Sequence, residues 1–281
     1  MRQERVRLGI ERLLDEKIDV IRGQRVGLVC NQASVMPDTF AHTADVLAAR
    51  DEFRLTTLFG PQHGIRGDLQ DNMIETPHAV DERTGIMVYS LYSETRIPTE
   101  EMVRDIDTFV IDLQDVGCRI YTFVYTMANC MRAAKQFGKK VVVCDRPNPI
   151  NGNAIEGNIT EHEFKSFVGQ FELPTRHGMT IGELAKMFNE HFGIGCDLEV
   201  IEMNGWRREM WGDETGLRSD DVRGPVALDP RTHEMRGRLV LRTLAANGAE
   251  AIAPLAFDPT SRSLGKALPR HHGWTMPYQF A

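Results

Sequence analysis

The chain has 281 residues, of which 42% are hydrophobic and 26% are charged, and its 33 basic and 40 acidic residues give a net charge of −7. This length and composition are ordinary for a globular protein with one large domain or two smaller ones. The negative charge argues against nucleic acid or an anionic membrane as the main partner. The five cysteines form no CxxC pair, which is typical of reduced core thiols rather than of a disulfide framework.

The amino terminus carries charges throughout its first 17 residues and lacks the apolar core of a signal peptide. No apolar run approaches the roughly 20 residues that are needed to cross a bilayer. The sequence as written therefore predicts a cytoplasmic protein without a membrane span. Whether an export signal lies upstream of Met1 stays open.

Short apolar runs alternate with amphipathic segments through the first 203 residues. A polar loop begins at Gly60-Pro61 and runs to about Glu75. Strands that alternate with helices predict an α/β fold with a mostly parallel sheet. The predicted strands are 25–30, 55–59, 87–91, 109–111, 140–144 and 198–203, and the predicted helices are 7–15, 43–49, one from Thr99, one from Ile120, and 180–192.

Polar side chains follow most of the predicted strands directly. Because ligands bind beyond the carboxyl ends of parallel strands, this pattern predicts one cleft at that edge of the sheet. Each of these side chains, taken alone, could instead only bond a turn or cap a helix. In chain order they are Asn31, Gln62, His63, Asp112, Gln114, Asp115, Asp145 and Arg146.

The sequence does not contain the common motifs for nucleotides, metals or nucleophiles. The glycines of residues 60–67 (GPQHGIRG) lack nucleotide-loop spacing, and we expect them to let the backbone approach a ligand while His63 and Arg66 point into the cleft. The histidines have no HxH or HExxH spacing, so no metal and no cofactor are predicted. There is no GxSxG motif, and Cys30 and Cys144 are expected to be buried, unreactive thiols.

The start of the helix at 180–192 carries two distinct features. Thr180 and Glu183 fit a capping box, which explains this Glu without catalysis. His177 lies just before the helix, where free N–H groups could bind an anionic ligand.

Carboxylates remain as candidates for catalysis, because two that face each other across a cleft can cleave a glycosidic bond. The pair is left open among Glu75, Asp112, Asp115, Asp145 and Glu156.

Seven motifs follow one another along the chain: GPQHGIRG (60–67), VYSLY (88–92), IDLQDVGCRIYTF (111–123), CDRPNPINGN (144–153), EGN (156–158), FVGQFELPTRHGMTIGELAKMFN (167–189) and GWRREMWGDETGL (205–217). Together they resemble the NamZ-type exo-β-N-acetylmuramidases, which remove N-acetylmuramic acid from the non-reducing end of peptidoglycan fragments. The resemblance covers roughly residues 7–217. It implies a Rossmann-like amino-terminal domain with helices on both faces of its sheet, a smaller carboxyl-terminal domain, and an active site between them.

The resemblance implies a Rossmann-like catalytic domain at 1–155, the start of a second, incomplete lobe at 156–217, and a divergent tail at 218–281. It also makes two arginines candidates to hold the lactyl carboxylate of the sugar, with His177 assisting. These arginines are Arg66 and Arg146. Carried over position by position, the cleft residues are Gln62, His63, Arg66, Asp112, Gln114, Asp115, Arg119, Tyr121, Asp145, Arg146, Asn148 and His177, and the position after the first strand adds Asn31.

The sequence departs from the family pattern at the favoured catalytic carboxylate. The family usually has PEHG where this chain has Pro61-Gln62-His63-Gly64. Because Gln62 cannot act as an acid or a base, we hypothesise that Glu75 is the relocated carboxylate. The alternative is that the acetamido group of the substrate is the nucleophile, steered by Asp112 and Asp115.

The second departure is the tail from residue 218, which lacks the family's proline-rich, EGT and GRGT segments. Its nine basic and six acidic residues contrast with 24 and 34 before it, and only a short helix at 239–246 is predicted there. We hypothesise an altered or out-of-frame ending.

The expected function is hydrolysis of a terminal β-N-acetylmuramic acid unit. The alternatives are a non-catalytic cell-wall sugar-binding protein and an esterase or amidase acting on cell-wall fragments.

Overall fold

The structure is a computed structural model, and it describes residues 5–67, 77–92 and 94–217. Glu75, the end of the polar loop and the tail from residue 218 therefore lie outside the described residues. The described strands are β1 Arg25–Cys30, β2 Arg54–Gly60, β3 Ala79–Val80, β4 Met87–Ser90, β5 Thr108–Asp112, β6 Lys140–Cys144, β7 Glu156–Ile159, β8 Pro174–Arg176 and β9 Asp197–Ile201. The α-helices are α1 Gly9–Asp15, α2 Thr43–Ala48, α3 Glu100–Val103, α4 Phe123–Phe137 and α5 Ile181–Glu190.

Seven strands form one sheet in the order β3-β4-β2-β1-β5-β6-β9. All neighbouring pairs are parallel except β3 and β4, so the predicted mostly parallel sheet is confirmed. The chain moves outward in one direction from β1 and in the other from β5. The order of the strands therefore reverses between β1 and β5, and in open α/β sheets the ligand crevice lies at this point.

Helices cover both faces of the seven-stranded sheet. Alternate residues of β5 point to opposite sides: Phe109 and Ile111 enter one apolar core and Val110 enters the other. Helices α3, α4 and α5 contribute to the first core, and α1 and α2 contribute to the second. Burial on both sides explains why these strands are continuous apolar runs rather than alternating ones. The predicted α/β fold is confirmed.

The start of α4 differs from the sequence prediction. Helix α4 begins at Phe123 rather than at Ile120, because the preceding residues form a turn in which the N–H of Tyr121 bonds the carbonyl of Cys118. The N–H of Arg119 meanwhile bonds the carbonyl of Thr175 on β8. Apolar spacing alone therefore placed the start of the helix three residues too early.

Strands β7 and β8 form a separate two-stranded antiparallel sheet that the sequence did not predict. Helix α5 and strand β9 follow it in the chain but return to the seven-stranded sheet, where β9 pairs with β6. The domain boundary between residues 155 and 156 stays a prediction. Although α5 and β9 follow this boundary in the chain, both pack against elements that precede it, among them β6. Among the helices of the described residues, none is long and apolar enough to span a membrane.

Candidate active site

Asp112 and Arg146 form a buried ion pair where the strand order reverses. Asp112 ends β5 beside Cys30 of β1, and Arg146 lies two residues after β6. The Nε of Arg146 lies 2.6 Å from Oδ1 of Asp112, and its Nη2 lies 2.9 Å from Oδ2. Thr43 on α2 also donates to Oδ2 at 2.6 Å. Both side chains are fully buried, so the pair joins two strands and a helix behind the cleft.

Asn31 connects the end of β1 to the end of β5. Its Nδ2 donates to the backbone carbonyl of Gln114 at 3.2 Å, and its N–H donates to the hydroxyl of Ser34 at 2.9 Å. The Ser34 hydroxyl lies within hydrogen-bond reach of Oδ1 of Asn31 and of the backbone carbonyl of Asp112. Asn31 and Ser34 therefore join the end of β1 directly to the end of β5.

Asp115 and His177 form a second buried pair at the same edge of the sheet. The Nδ1 of His177 accepts the N–H of Met179 at 3.2 Å, so the ring proton lies on Nε2, which donates to Oδ2 of Asp115 at 3.1 Å. The N–H of Gly117 donates to the same oxygen at 2.8 Å. The other oxygen, Oδ1, is buried and accepts no hydrogen bond from the described part of the chain.

Gln114 and Tyr121 also carry buried polar atoms near this pair. The side-chain nitrogen of Gln114 donates to the carbonyls of Asp115 and Pro147, at 2.7 and 2.9 Å. Its Oε1 and the hydroxyl of Tyr121 have no hydrogen-bond partner in the described residues. Burial raises the pKa of Tyr121 well above its usual value, with the Asp115 carboxylate acting in the same direction, so the phenol keeps its proton.

Asp145 lies after β6 but bonds the start of α5 rather than a cation. Its Oδ1 accepts the N–H of Gly182 at 2.8 Å and the N–H of Arg146 at 3.0 Å, and Oδ2 accepts the hydroxyl of Thr180 at 3.1 Å. Burial raises the pKa of Asp145 to about 6, which these hydrogen bonds only partly offset. The capping box predicted for Thr180 and Glu183 is confirmed. The sequence predicts that free N–H groups at this helix start could bind an anion. The N–H groups of Thr180 and Gly182, however, already donate to Glu183 and Asp145.

Arg119 and Asn148 hold the surrounding loops. Arg119 donates at 2.6 Å to the carbonyls of Asn158 and Leu173, and so attaches the turn before α4 to the small sheet. Asn148 donates to the carbonyl of Met179 at 2.9 Å and accepts the N–H of Ile150 at 3.1 Å. These contacts favour a structural role for both residues behind the cleft surface.

The loop at residues 61–67 follows β2 and places Gln62 and His63, both half-buried, beside Gly64. His63 has a φ of 73°, a left-handed conformation that a non-glycine residue seldom adopts. Arg66 is bound by two carboxylates: Asp45 on α2 at 2.6 Å and Asp81 after β3 at 2.7 Å. Its contacts therefore favour anchoring of the loop, and those of Arg146 with Asp112 likewise favour a structural role over capture of a lactyl carboxylate.

The sequence reasoning missed two residues at the cleft. His42 caps α2 and contacts both the turn after β1 and the loop at 61–67. Arg176 on β8 is buried and binds Glu156 at 2.9 Å and Oδ1 of Asn151 at 2.9 Å. The contact of His42 with Ile65 spans 23 residues and that of Arg176 with Asn151 spans 25, so no local sequence spacing marks them.

Cys30 and Cys144 are buried, as the sequence predicts. All five cysteines are free thiols, and burial raises the pKa of the fully buried Cys30 and Cys144. That part of the prediction is confirmed. Within the described ranges, no three His, Cys, Asp or Glu side chains gather in a way that could hold a metal ion.

Comparison with known proteins identifies the family of the chain. A family model described as "Exo-beta-N-acetylmuramidase NamZ, N-terminal" matches residues 26–219. The chain belongs to the NamZ family. A relative in Bacillus subtilis (strain 168), the peptidoglycan beta-N-acetylmuramidase NamZ, is 47% identical over 216 residues, which are 77% of this chain and 52% of that protein.

Two crystal structures of DUF1343 family proteins from Bacteroides fragilis share the fold of this NamZ family chain. The first has a TM-score of 0.71 and 44% identity, and the match covers 76% of this chain and 54% of that one. The second has a TM-score of 0.63 and 29% identity, with coverage of 74% and 54%. The chain thus spans about half the length of the relatives that it matches.

Proposed function

We propose that the chain forms the amino-terminal part of an exo-acting glycosidase that releases terminal β-N-acetylmuramic acid from peptidoglycan fragments. Membership of the NamZ family and the 47% identity to the Bacillus subtilis relative support this function. The substrate would be a disaccharide or a longer oligosaccharide, and the cytoplasmic location stays a prediction.

The observation that carries the proposal at the level of chemistry is the unequal use of the two oxygens of Asp115. His177 and the N–H of Gly117 hold Oδ2, while Oδ1 is buried without a partner in the described residues. A buried carboxylate oxygen without a donor is unfavourable by about 1–3 kcal/mol or more, and a ligand N–H or O–H would remove this penalty.

We assign to Asp115 the role of accepting the acetamido N–H or a hydroxyl of the bound sugar, or the reacting proton itself. His177 fixes the orientation of this carboxylate. Asp112, by contrast, is fully occupied by Arg146 and Thr43, which favours a structural role for it. A second carboxylate is then needed unless the substrate's own acetamido group attacks, and Glu75 stays our prediction for it.

The test is release of free N-acetylmuramic acid from a disaccharide of β-linked N-acetylmuramic acid and N-acetylglucosamine. The parent chain is compared with Asp115→Asn and Glu75→Gln. Glu202→Gln is the matched control, because Glu202 lies on the surface after β9 and pairs with the exposed Lys186. Binding of the free sugar is measured by calorimetry for every variant.

If the proposal holds, Asp115→Asn lowers kcat by about 10²–10⁴-fold while the control keeps the parent rate. An unchanged rate in Asp115→Asn would contradict the assignment of this residue. A Glu75→Gln variant with the parent rate would remove the relocated carboxylate and leave the acetamido route. Sugar binding without release by the parent chain would favour a non-catalytic sugar-binding protein. Cleavage of an ester or amide in a cell-wall fragment, with no glycoside cleavage, would favour an esterase or amidase.

A further inference from the structure

His42 joins three separate segments through one imidazole ring. Its Nδ1 accepts the N–H of Ala44 at the start of α2, at 3.2 Å. Its Nε2 lies 3.0 Å from the carbonyl of Asn31 and 3.0 Å from the carbonyl of Ile65. Because Nδ1 already accepts a hydrogen bond, the ring proton lies on Nε2, and this N–H is shared between the two carbonyls.

The two carbonyls belong to different parts of the cleft. Asn31 follows β1 and bonds the backbone of Gln114 at the end of β5. Ile65 lies in the loop at 61–67, which contains neither helix nor strand and carries Gln62 and His63. His42 therefore ties this irregular loop to the point where the central strands end.

The loop has a second attachment, and its chemistry is different. Arg66 reaches Asp45 and Asp81 through its side chain, which is one-fifth exposed. The His42 contact instead fixes a main-chain carbonyl and is buried, with the His42 residue 8% exposed. A side-chain ion pair can tolerate small movements of the backbone, whereas a hydrogen bond to a carbonyl fixes the path of the loop itself.

We propose that His42 is a positioning residue, which sets the distance of the loop at 61–67 from the cleft at the ends of β1 and β5. Its importance for turnover rests on the glycosidase function proposed above. Its effect on the loop does not, because that effect follows from the hydrogen bonds alone. The ring acts through Asn31 and Ile65 and need not touch a substrate.

The experiment compares His42→Leu, His42→Gln and the parent chain. Leu removes the donor and the acceptor, while Gln can supply both through its side-chain amide. His191→Leu is the matched control, since it makes the same change at the exposed end of α5. Amide hydrogen exchange is followed in a peptide covering 60–67 and in a reference peptide covering β6, and sugar release is measured in parallel.

In His42→Leu, we expect exchange in the 60–67 peptide to accelerate about tenfold with the β6 peptide unchanged. His42→Gln should restore most of the protection, and His191→Leu should keep all of it. In an active parent, kcat/KM should fall about tenfold in His42→Leu and recover in His42→Gln.

Unchanged exchange at 60–67 in His42→Leu would overturn the proposal. So would equal acceleration in both peptides, because that would mean general destabilisation. If the parent chain releases no sugar, the glycosidase function fails, but the exchange result still decides the role of His42.

Discussion

Asp112 and Asp115 lie three residues apart at the end of the same strand, and the protein uses them differently. Arg146 and Thr43 occupy both oxygens of Asp112, which has no exposed surface. Asp115 is held through one oxygen only, and its other oxygen is buried without a partner in the described residues. Position at a strand end thus selects both carboxylates as candidates, but only their contacts distinguish Asp112, with both oxygens bonded, from Asp115, with one oxygen left without a partner in the described residues.

The largest expected effect comes from removing the structural carboxylate. Asp112→Ala would remove both hydrogen bonds of this ion pair while the guanidinium of Arg146 stays buried, so the free energy of unfolding should fall by about 3–5 kcal/mol. Urea denaturation followed by circular dichroism measures this change. Glu202→Ala, in an exposed pair with Lys186, should cost less than about 1 kcal/mol.

A paired replacement sharpens the same prediction. Asp112→Leu combined with Arg146→Met removes both charges together, and it should recover most of the stability lost in Asp112→Ala. A double variant no more stable than Asp112→Ala would show that the packing around Thr43, rather than the charge, causes the loss.

Asp145 is a third buried carboxylate, and its hydrogen bonds come from two backbone N–H groups and a hydroxyl rather than from a cation. Burial raises its pKa from 3.8 to about 6, so between about pH 4 and pH 6 the folded chain binds a proton that the unfolded chain has released. The free energy of unfolding should therefore decrease as the pH rises through this window, by about 3 kcal/mol. The contribution is complete below pH 4 and is lost above pH 6.

Asp145→Asn should remove this slope. The amide oxygen can still accept from Gly182 and Arg146, and Thr180 can accept from the amide nitrogen. Urea denaturation at pH 4, 5, 6 and 7 compares the variant with the parent. Parallel curves for the two proteins would contradict a raised pKa at this position.

The smallest effect is expected from loosening Asp115 without removing it. His177→Leu deletes the Nε2 donor, so kcat for sugar release should fall about tenfold. His177→Gln can still donate to Asp115 and accept from Met179, and it should keep most of the rate. Equal losses in both variants, with unchanged melting temperatures, would mean that the imidazole itself takes part in the reaction.

Much of the fold could be predicted because buried parallel strands are written as continuous apolar runs. Strand β1 matches its prediction at both ends, and β6 does as well. Strands β7 and β8 could not be predicted in this way. The segment Glu156–Ile159 is mostly exposed, and Arg119 holds its backbone through a contact across 39 residues of sequence.

The site was predictable in its location but not in its internal pairing. The strand-end rule places Asn31, Asp112 and Asp115 together, and the structure shows the network that joins Asn31 to the end of β5. The strand-end rule does not reveal that Arg66 is bound by Asp45, 21 residues earlier, or that Arg146 is bound by Asp112, 34 residues earlier. Such partners are set by the packing of distant segments, which local sequence spacing does not record.

The buried pair of Asp112 and Arg146 also restricts how this sequence can evolve. Replacing either residue alone breaks the ion pair while the other charge stays inside the protein, and a loss of about 3–5 kcal/mol is a large part of the 5–15 kcal/mol that a folded domain has. A lineage can leave the pair only through two coordinated substitutions or after gaining stability elsewhere. The ends of β5 and β6, which this pair joins, are thus protected from gradual drift.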